Sequence, residues 1–250
     1  MEFVQVSKED GIATVALSRG KVNALNEPMI DQINDCFADL ENDPRVQAVV
    51  LTGKGSFFSF GFDIPEFLTY SKDAFVKFLI KFTNLYSYLF LYPKPVVAAL
   101  NGHTMAGGCM LASTCDYRVM ASGKAKISLN EITFGSSVLA GSVEMLKFCV
   151  GSKTAASILY KGAMYSAPEA LEAGLIDQVA SEEFLATEAE KIAKSLAGRE
   201  GPAFRSIKGL LRKPVAEEMK KRERDSVLEF VDIWYSEKTW ENLKGIKIRT

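Results

Sequence analysis

Ala98-Ala99-Leu100-Asn101-Gly102-His103-Thr104-Met105-Ala106-Gly107-Gly108-Cys109-Met110 is the stretch that decides how this chain is read. A run of strand formers ends in the small turn Ala106-Gly107-Gly108, and the apolar segment Cys109-Met110-Leu111-Ala112 follows. Glycines let a backbone approach a ligand with no Cβ in the way. A helix starting there aims free N–H groups at that ligand. Some twenty residues on, Ile127-Ser128-Leu129-Asn130-Glu131-Ile132 holds one carboxylate in an otherwise uncharged neighbourhood. Free N–H groups are the material of an oxyanion hole. A lone carboxylate among apolar residues is the material of a general base with a raised pKa. Together they point to proton transfer next to a carbonyl.

Working outward, 250 residues of which 48% are hydrophobic suffice for a substantial core. Thirty basic and 31 acidic residues leave a net charge of −1, which argues against nucleic acid or an anionic membrane as partner. Cys36, Cys109, Cys115 and Cys149 are scattered among apolar neighbours, as reduced packing thiols would be. The start, Met1-Glu2-Phe3-Val4-Gln5, reads as neither signal nor transit peptide. The end, Ile248-Arg249-Thr250, is not a peroxisomal Ser-Lys-Leu. The expected compartment is therefore the cytoplasm. The apolar run 75–91 is interrupted by Lys77, Lys81 and Asn84, so it is no membrane span. His103 is the single histidine, which excludes the common zinc enzymes and leaves no metal expected.

Residues 4–7 and 12–17 pattern as hairpin strands around Lys8-Glu9-Asp10-Gly11. Met29, Ile30, Ile33, Phe37 and Leu40 fall at helical spacing over 27–41, with Asn26 placed to cap. A strand over 46–51, the aromatic segment 57–64 and a helix over 72–91 come next. They are followed by a strand over 96–100, a helix over 107–113, strands over 117–121 and 125–128, and a helix from about 138. The repeating unit is strand, strand, helix, unlike the alternation of a doubly wound sheet. A helix over 167–173, stopped by Gly174, precedes a short strand over 176–179. Three charged helices are then expected, over 182–196, 202–212 and 215–236. The chain divides into 1–195, holding the pocket, and a helical region 196–250. That region is too sparse in apolar residues to form a core alone, so it must pack on the first part or on another subunit.

Six motifs now stand in order: Asn23-Ala24-Leu25-Asn26, Phe58-Ser59-Phe60-Gly61-Phe62-Asp63, Lys94-Pro95-Val96-Val97-Ala98-Ala99-Leu100-Asn101-Gly102, Ala106-Gly107-Gly108, Cys115-Asp116-Tyr117-Arg118 and Leu129-Asn130-Glu131. In this order and spacing, over residues 1 to about 195, the chain resembles the enoyl-CoA hydratase/isomerase (crotonase) family. The resemblance implies an α/β spiral of strand-strand-helix turns, with C-terminal helices that assemble a trimer or a dimer of trimers. It implies an acyl-CoA thioester as substrate, coenzyme A being part of that substrate and no separate cofactor being needed. By position, the N–H groups of Phe62 and Gly107 would bind the thioester oxygen and Glu131 would be the base. Phe60, Asp63 and Ile64 would line the adenine pocket, backbone at Val22 and Ala24 would flank the nucleotide, and Lys21 would meet a phosphate. Gly108 and Met110 complete the substrate-side set.

The departures narrow the expectation. Family hydratases carry two glutamates, and the first position here is Met110. The remaining Leu129-Asn130-Glu131 is most like the Δ3,Δ2-enoyl-CoA isomerases, in which one base takes a proton from C2 and returns it to C4. Other single-carboxylate reactions of the fold stay open: weak hydration, thioester hydrolysis, a dienoyl shift or decarboxylation. A CoA-ester-binding protein without turnover stays open too, because Phe60, Phe62 and Phe67 are bulky enough to narrow the groove. From spacing alone Glu131 reads first as a helix-start carboxylate, and the family register is what favours the base. Asp63 reads as a helix cap and Asp116 as a tie at a strand start. His103 reads as a pocket wall, and Phe75, Phe78, Phe82, Tyr86 and Tyr88 as core or acyl-tunnel wall. Glu144 is a minority candidate for a second acid. Lys208, Lys213, Lys220 and Lys221 read as solvated surface, with one of them available to a CoA phosphate.

Overall fold

A computed structural model describes residues 1–248; Arg249 and Thr250 of the C-terminal tripeptide lie outside the described residues. β1 (Val4–Glu9) and β2 (Ile12–Leu17) form the expected antiparallel hairpin. Asp10 (φ 47°) and Gly11 (φ 79°) are both left-handed, the twist that a two-residue hairpin loop requires. From β2 on, the large sheet is parallel. It continues through β3 (Ala48–Gly53), β5 (Val96–Leu100), β7 (Tyr117–Ala121) and β9 (Gln178–Ala180) in the order β1-β2-β3-β5-β7-β9. A second parallel sheet holds β4 (Phe57–Ser59), β6 (His103–Met105) and β8 (Ile127–Ser128). Each turn of the spiral adds one strand to each sheet before a helix closes it: α3 (Lys72–Phe90), α4 (Gly107–Thr114) or α5 (Ala140–Val150).

Local chemistry sets these bounds. α1 (Glu27–Asn42) starts where the Asn26 side chain accepts from the Met29 N–H, and it buries Met29, Ile30, Ile33, Phe37 and Leu40. α2 (Ile64–Phe67) is capped by Asp63, as expected of that residue. α6 (Ser152–Lys161) follows Gly151 (φ 76°), a break after α5 that the apolar pattern did not announce. α7 (Ala167–Glu172) begins with a Ser166/Glu169 capping box. α8 (Leu185–Ala197) lays Leu185, Ala189 and Ala193 on one face of the large sheet, against Val50, Val97, Ala99 and Val119. The alternate strand residues Val49, Leu51, Ala98 and Leu100 point into the main core on the other side.

The tail departs from expectation in more than one respect. The two helices over 202–212 and 215–236 are one helix, α9 (Gly201–Trp234), with Pro214 inside it. A mid-helix proline costs about 3 kcal/mol through its missing N–H. The turn before it is held from the core. Arg212 donates to the carbonyls of Phe90, Thr114 and Cys115 at 2.6–3.0 Å, and Lys208 reaches Asp116 at 2.7 Å. Lys208 is thus buried, not solvated as its helical spacing suggested, because a carboxylate from the start of β7 meets it. Asp116 also accepts the Val96 N–H at 2.8 Å, the strand tie expected of it. α10 (Glu237–Lys244) closes the described chain. α9 packs on α3 and α5, so residues 196–248 form a layer of the same core.

Candidate active site

Three backbone segments meet where the two sheets and α4 converge. β6 ends at Met105, and Ala106 takes φ 46°, ψ −117°, a conformation that glycine adopts easily and a β-carbon strains. This sharp corner starts α4 with no side-chain cap on its first turn. Residues 22–25 run parallel to 60–63, tied by Phe60 N–H to Val22 O (2.9 Å), Leu25 N–H to Gly61 O (2.7 Å) and Asp63 N–H to Leu25 O (2.9 Å). Gly61 (φ 96°) lies against the corner so closely that a β-carbon there would sit 3.0 Å from the Gly107 nitrogen. Gly107 is equally tight against the Phe62 ring, where a β-carbon would meet it at 3.2 Å. Among the described residues, the N–H groups of Phe62 and Gly107 donate to no acceptor. The Phe62 ring turns into the core, edge-on to Phe67, Phe78 and Phe82.

Glu131 opens a 3-10 turn, Glu131–Phe134, that follows β8. It is 4% exposed, and neither carboxylate oxygen has a hydrogen-bond partner. The helix-start reading is thereby set aside, since the carboxylate binds no backbone donor. Burial pushes its pKa up to about 8, against the opposing influence of its own N–H. Glu131 lines a cavity of about 360 Å3 together with Phe62, Gly107 and Met110. Phe57, Phe60 and His103 are half-buried and pack on one another at its rim, with ring centroids 5.0–6.3 Å apart.

Of the residues singled out in the sequence, Phe60, Phe62, Ile64, Gly107, Met110 and Glu131 share this cavity. Lys21, Val22, Ala24, Asp63 and Gly108 do not line it. Lys21 is exposed. The Ala24 carbonyl accepts from Arg19 (2.9 Å), and Asp63 pairs with the same guanidinium (2.7 Å). Gly108 packs on Ser59, whose carbonyl oxygen would lie 2.6 Å from a β-carbon there. Glu144 is bound by Lys147 (2.8 Å) and Arg222 (2.6 Å), away from the cavity. Phe75, Phe78, Phe82 and Tyr86 are core. Phe134, Ser136, Phe230, Trp234 and Ile246 also line the cavity and were not foreseen. Only Phe230 left a signal, as part of an apolar face on the tail helix with Met219, Val227 and Val231. A larger groove of about 1320 Å3 lies between the α3–β5 connection and the α8–α9 corner, apart from Glu131 and lined by Lys94, Arg199, Arg205 and Lys213.

An unpaired carboxylate shares one apolar cavity with two residues whose backbone N–H groups are free, which is the set of groups that acid–base chemistry on a carbonyl-bearing substrate requires. Residues 7–245 match the family described as enoyl-CoA hydratase/isomerase, and the chain belongs to that family. Mitochondrial enoyl-CoA hydratase of Pongo abelii is 35% identical over 192 residues, 76% of this chain and 65% of that protein. Mouse mitochondrial enoyl-CoA delta isomerase 1 is 29% identical over 226 residues, 89% of this chain and 78% of that one. The crystal structure of human mitochondrial Δ3-Δ2-enoyl-CoA isomerase superposes with a TM-score of 0.90 at 28% identity, covering 97% of this chain and 95% of that one. Hydratases and isomerases thus stand together among its relatives.

Proposed function

We propose that this protein moves the double bond of a 3-enoyl-CoA thioester to the 2-position, with Glu131 as the sole proton carrier. The observation that carries the reading is a buried, unpartnered Glu131 in a cavity also lined by Met110, which stands at the position where the hydratases of the family are expected to carry their first glutamate. The thioester oxygen sits between the N–H groups of Phe62 and Gly107. The Glu131 carboxylate removes a proton from C2, and the electrons spread over a dienolate held by those two donors. Glu131, now protonated, returns the proton at C4, leaving the double bond between C2 and C3 and the enzyme unchanged. Donors of this kind contribute about 3–4 kcal/mol each to the transition state. The apolar walls keep out the water that hydration would require.

Hydration is the second reading, favoured by the identity to the Pongo abelii hydratase. It needs an acid besides the base, and Glu144 is held by two cations elsewhere. The remaining substrate-side roles, of Lys21, Val22, Ala24, Phe60, Asp63, Ile64 and Gly108 toward coenzyme A, belong to the same proposal. So does a place in fatty acid metabolism. So does association into a trimer or dimer of trimers through the C-terminal helices. Among the described residues no helix is long and apolar enough to cross a membrane.

The test is trans-3-hexenoyl-CoA beside crotonyl-CoA, followed by ultraviolet absorbance and mass, for wild type and Glu131→Gln. Conversion of the 3-enoyl to the 2-enoyl ester without gain of water, reduced by several orders of magnitude in the variant, is the expected result. The base must be ionised to act, so kcat/KM should rise with pH, reach half its maximum near pH 8 and level off above it. Hydration of crotonyl-CoA at comparable rate would replace the isomerase reading, and binding with no turnover would leave a carrier.

A further inference from the structure

The turn carrying Glu131 is one face of a thin partition. Asn130, Glu131, Phe134 and Ser136 line the cavity of the carboxylate. Leu129, Ile132, Gly135, Ser137 and Val138 line a second cavity of about 500 Å3 on the opposite side. The end of α9 divides in the same way, with Trp234 in the first lining and Ile233 in the second. Ser136 alone belongs to both. Its N–H is pinned to the Glu131 carbonyl at 3.0 Å, while its buried hydroxyl has no partner. A single small, unanchored side chain therefore stands at the wall the two cavities share.

The second cavity is built for hydrocarbon. Val143, Ala155, Ala156, Leu159 and Ile233 from α5, α6 and α9 form its walls. Its polar lining consists of Ser136, Ser137, Lys147, Ser152 and Tyr160, the last 77% exposed. The first cavity, at about 360 Å3, is near the lower end of ligand sites, which run from about 300 to 1,000 Å3. It must already hold the thioester and the reacting carbons.

We propose that the two cavities are one acyl channel constricted at Ser136, and that the substrate is a CoA thioester of a long aliphatic chain whose ω-end occupies the second chamber. This rests on the acyl-CoA reading of the Glu131 site. It fixes which esters that site serves. Each methylene withdrawn from water strengthens binding about fourfold, so a chain that crosses Ser136 gains affinity with length and one that stops short does not.

Saturated acyl-CoAs of six, eight, ten, twelve and fourteen carbons, titrated calorimetrically, test the channel without requiring turnover. The matching 3-enoyl esters, assayed in parallel, test the chemistry. Ala156→Phe fills the second chamber from a position that lines only that chamber, Leu159→Trp does so from another, and Ser136→Phe closes the constriction. Wild-type affinity should climb through twelve carbons or more, by at least a hundredfold from the six-carbon ester. The plugs should flatten that climb and lower the ratio of twelve- to six-carbon kcat/KM at least tenfold. A wild-type plateau at the length where the plugged proteins level off would overturn the channel. So would plugs that weaken six- and fourteen-carbon esters alike, as they would if a neighbouring copy filled the chamber. Length-dependent binding without isomerisation would remove the reaction and keep the channel. Isomerisation of the six-carbon ester without any gain from length would do the reverse.

Discussion

At the scale of single residues, Glu131 is placed where it costs stability. Its carboxyl has an ordinary pKa of 4.5 and one of about 8 in the folded protein, because burial disfavours the charged form. Below about 4.5 both folded and unfolded chains hold the proton and burial carries no penalty. Between the two values the unfolded chain has released the proton while the folded one keeps it, so stability falls as pH rises. Above 8 the loss is complete. At pH 7 the penalty is on the order of 3 kcal/mol. Glu131→Gln should therefore raise the urea midpoint at pH 7–8 while abolishing activity, and the two proteins should converge near pH 4.5. Parallel midpoints across that range would show that the carboxylate is not held dry. This residue was legible in the sequence as a lone carboxylate among apolar neighbours, but its proposed role as base came from the family register, since spacing alone read it as a helix-start carboxylate. Trp234 and Ser136 were not legible. Their relation to the cavity exists only after α9 and the loop beyond Phe134 fold against it, and no local pattern encodes such a contact.

At the scale of elements, period and punctuation decided what could be read. Strands with β-formers between glycines, and α1 and α3 with apolar residues every three or four positions, lay in the structure within a residue or two of their expected places. Tail helix α9 did not, because proline normally ends a helix and the compensating contacts come from residues some 90–120 positions earlier. The same distance hid Lys208, since a lysine facing water and one facing a buried carboxylate look identical along a helix. Asp116 holds both Lys208 (2.7 Å) and Arg212 (3.1 Å), and all three are nearly enclosed. Removing one partner of such a cluster strands the others without compensation, which costs about 3–5 kcal/mol. Asp116→Asn keeps the size and the polar contacts but removes the charge. It should lower stability by about that amount in urea denaturation, with a milder loss when Lys208→Met is added to it. An unchanged midpoint would mean that solvent reaches the cluster and that α9 is held by its apolar face alone.

At the scale of the whole molecule, the cavity of Glu131 is closed by parts that the sequence placed in a separate region. Phe230, Trp234 and Ile246 wall it from beyond residue 196, so the spiral and the tail make one site. The inner face of α9 is thus committed to the core, through Met219, Val227, Phe230 and Val231. The early part of the same helix turns Ile207, Leu210 and Leu211 to solvent at 58%, 77% and 59% exposure, spaced to lie on one face. Leucines on a helix face of a monomer gain nothing by standing in water. Burying one such side chain fully is worth about 1.5–3 kcal/mol, so the two leucines and Ile207 on each copy supply much of what a specific interface needs. If this face joins copies, the native protein sediments at three or six times the chain mass, and Leu210→Glu with Leu211→Glu brings it down to that of a single chain. The pair lies outside the cavity of Glu131, so any fall in activity on dissociation reports how far assembly steadies α9 and its Trp234 wall. Should the wild-type protein itself sediment as one chain, the trimer is excluded and those leucines are left to another use of the surface.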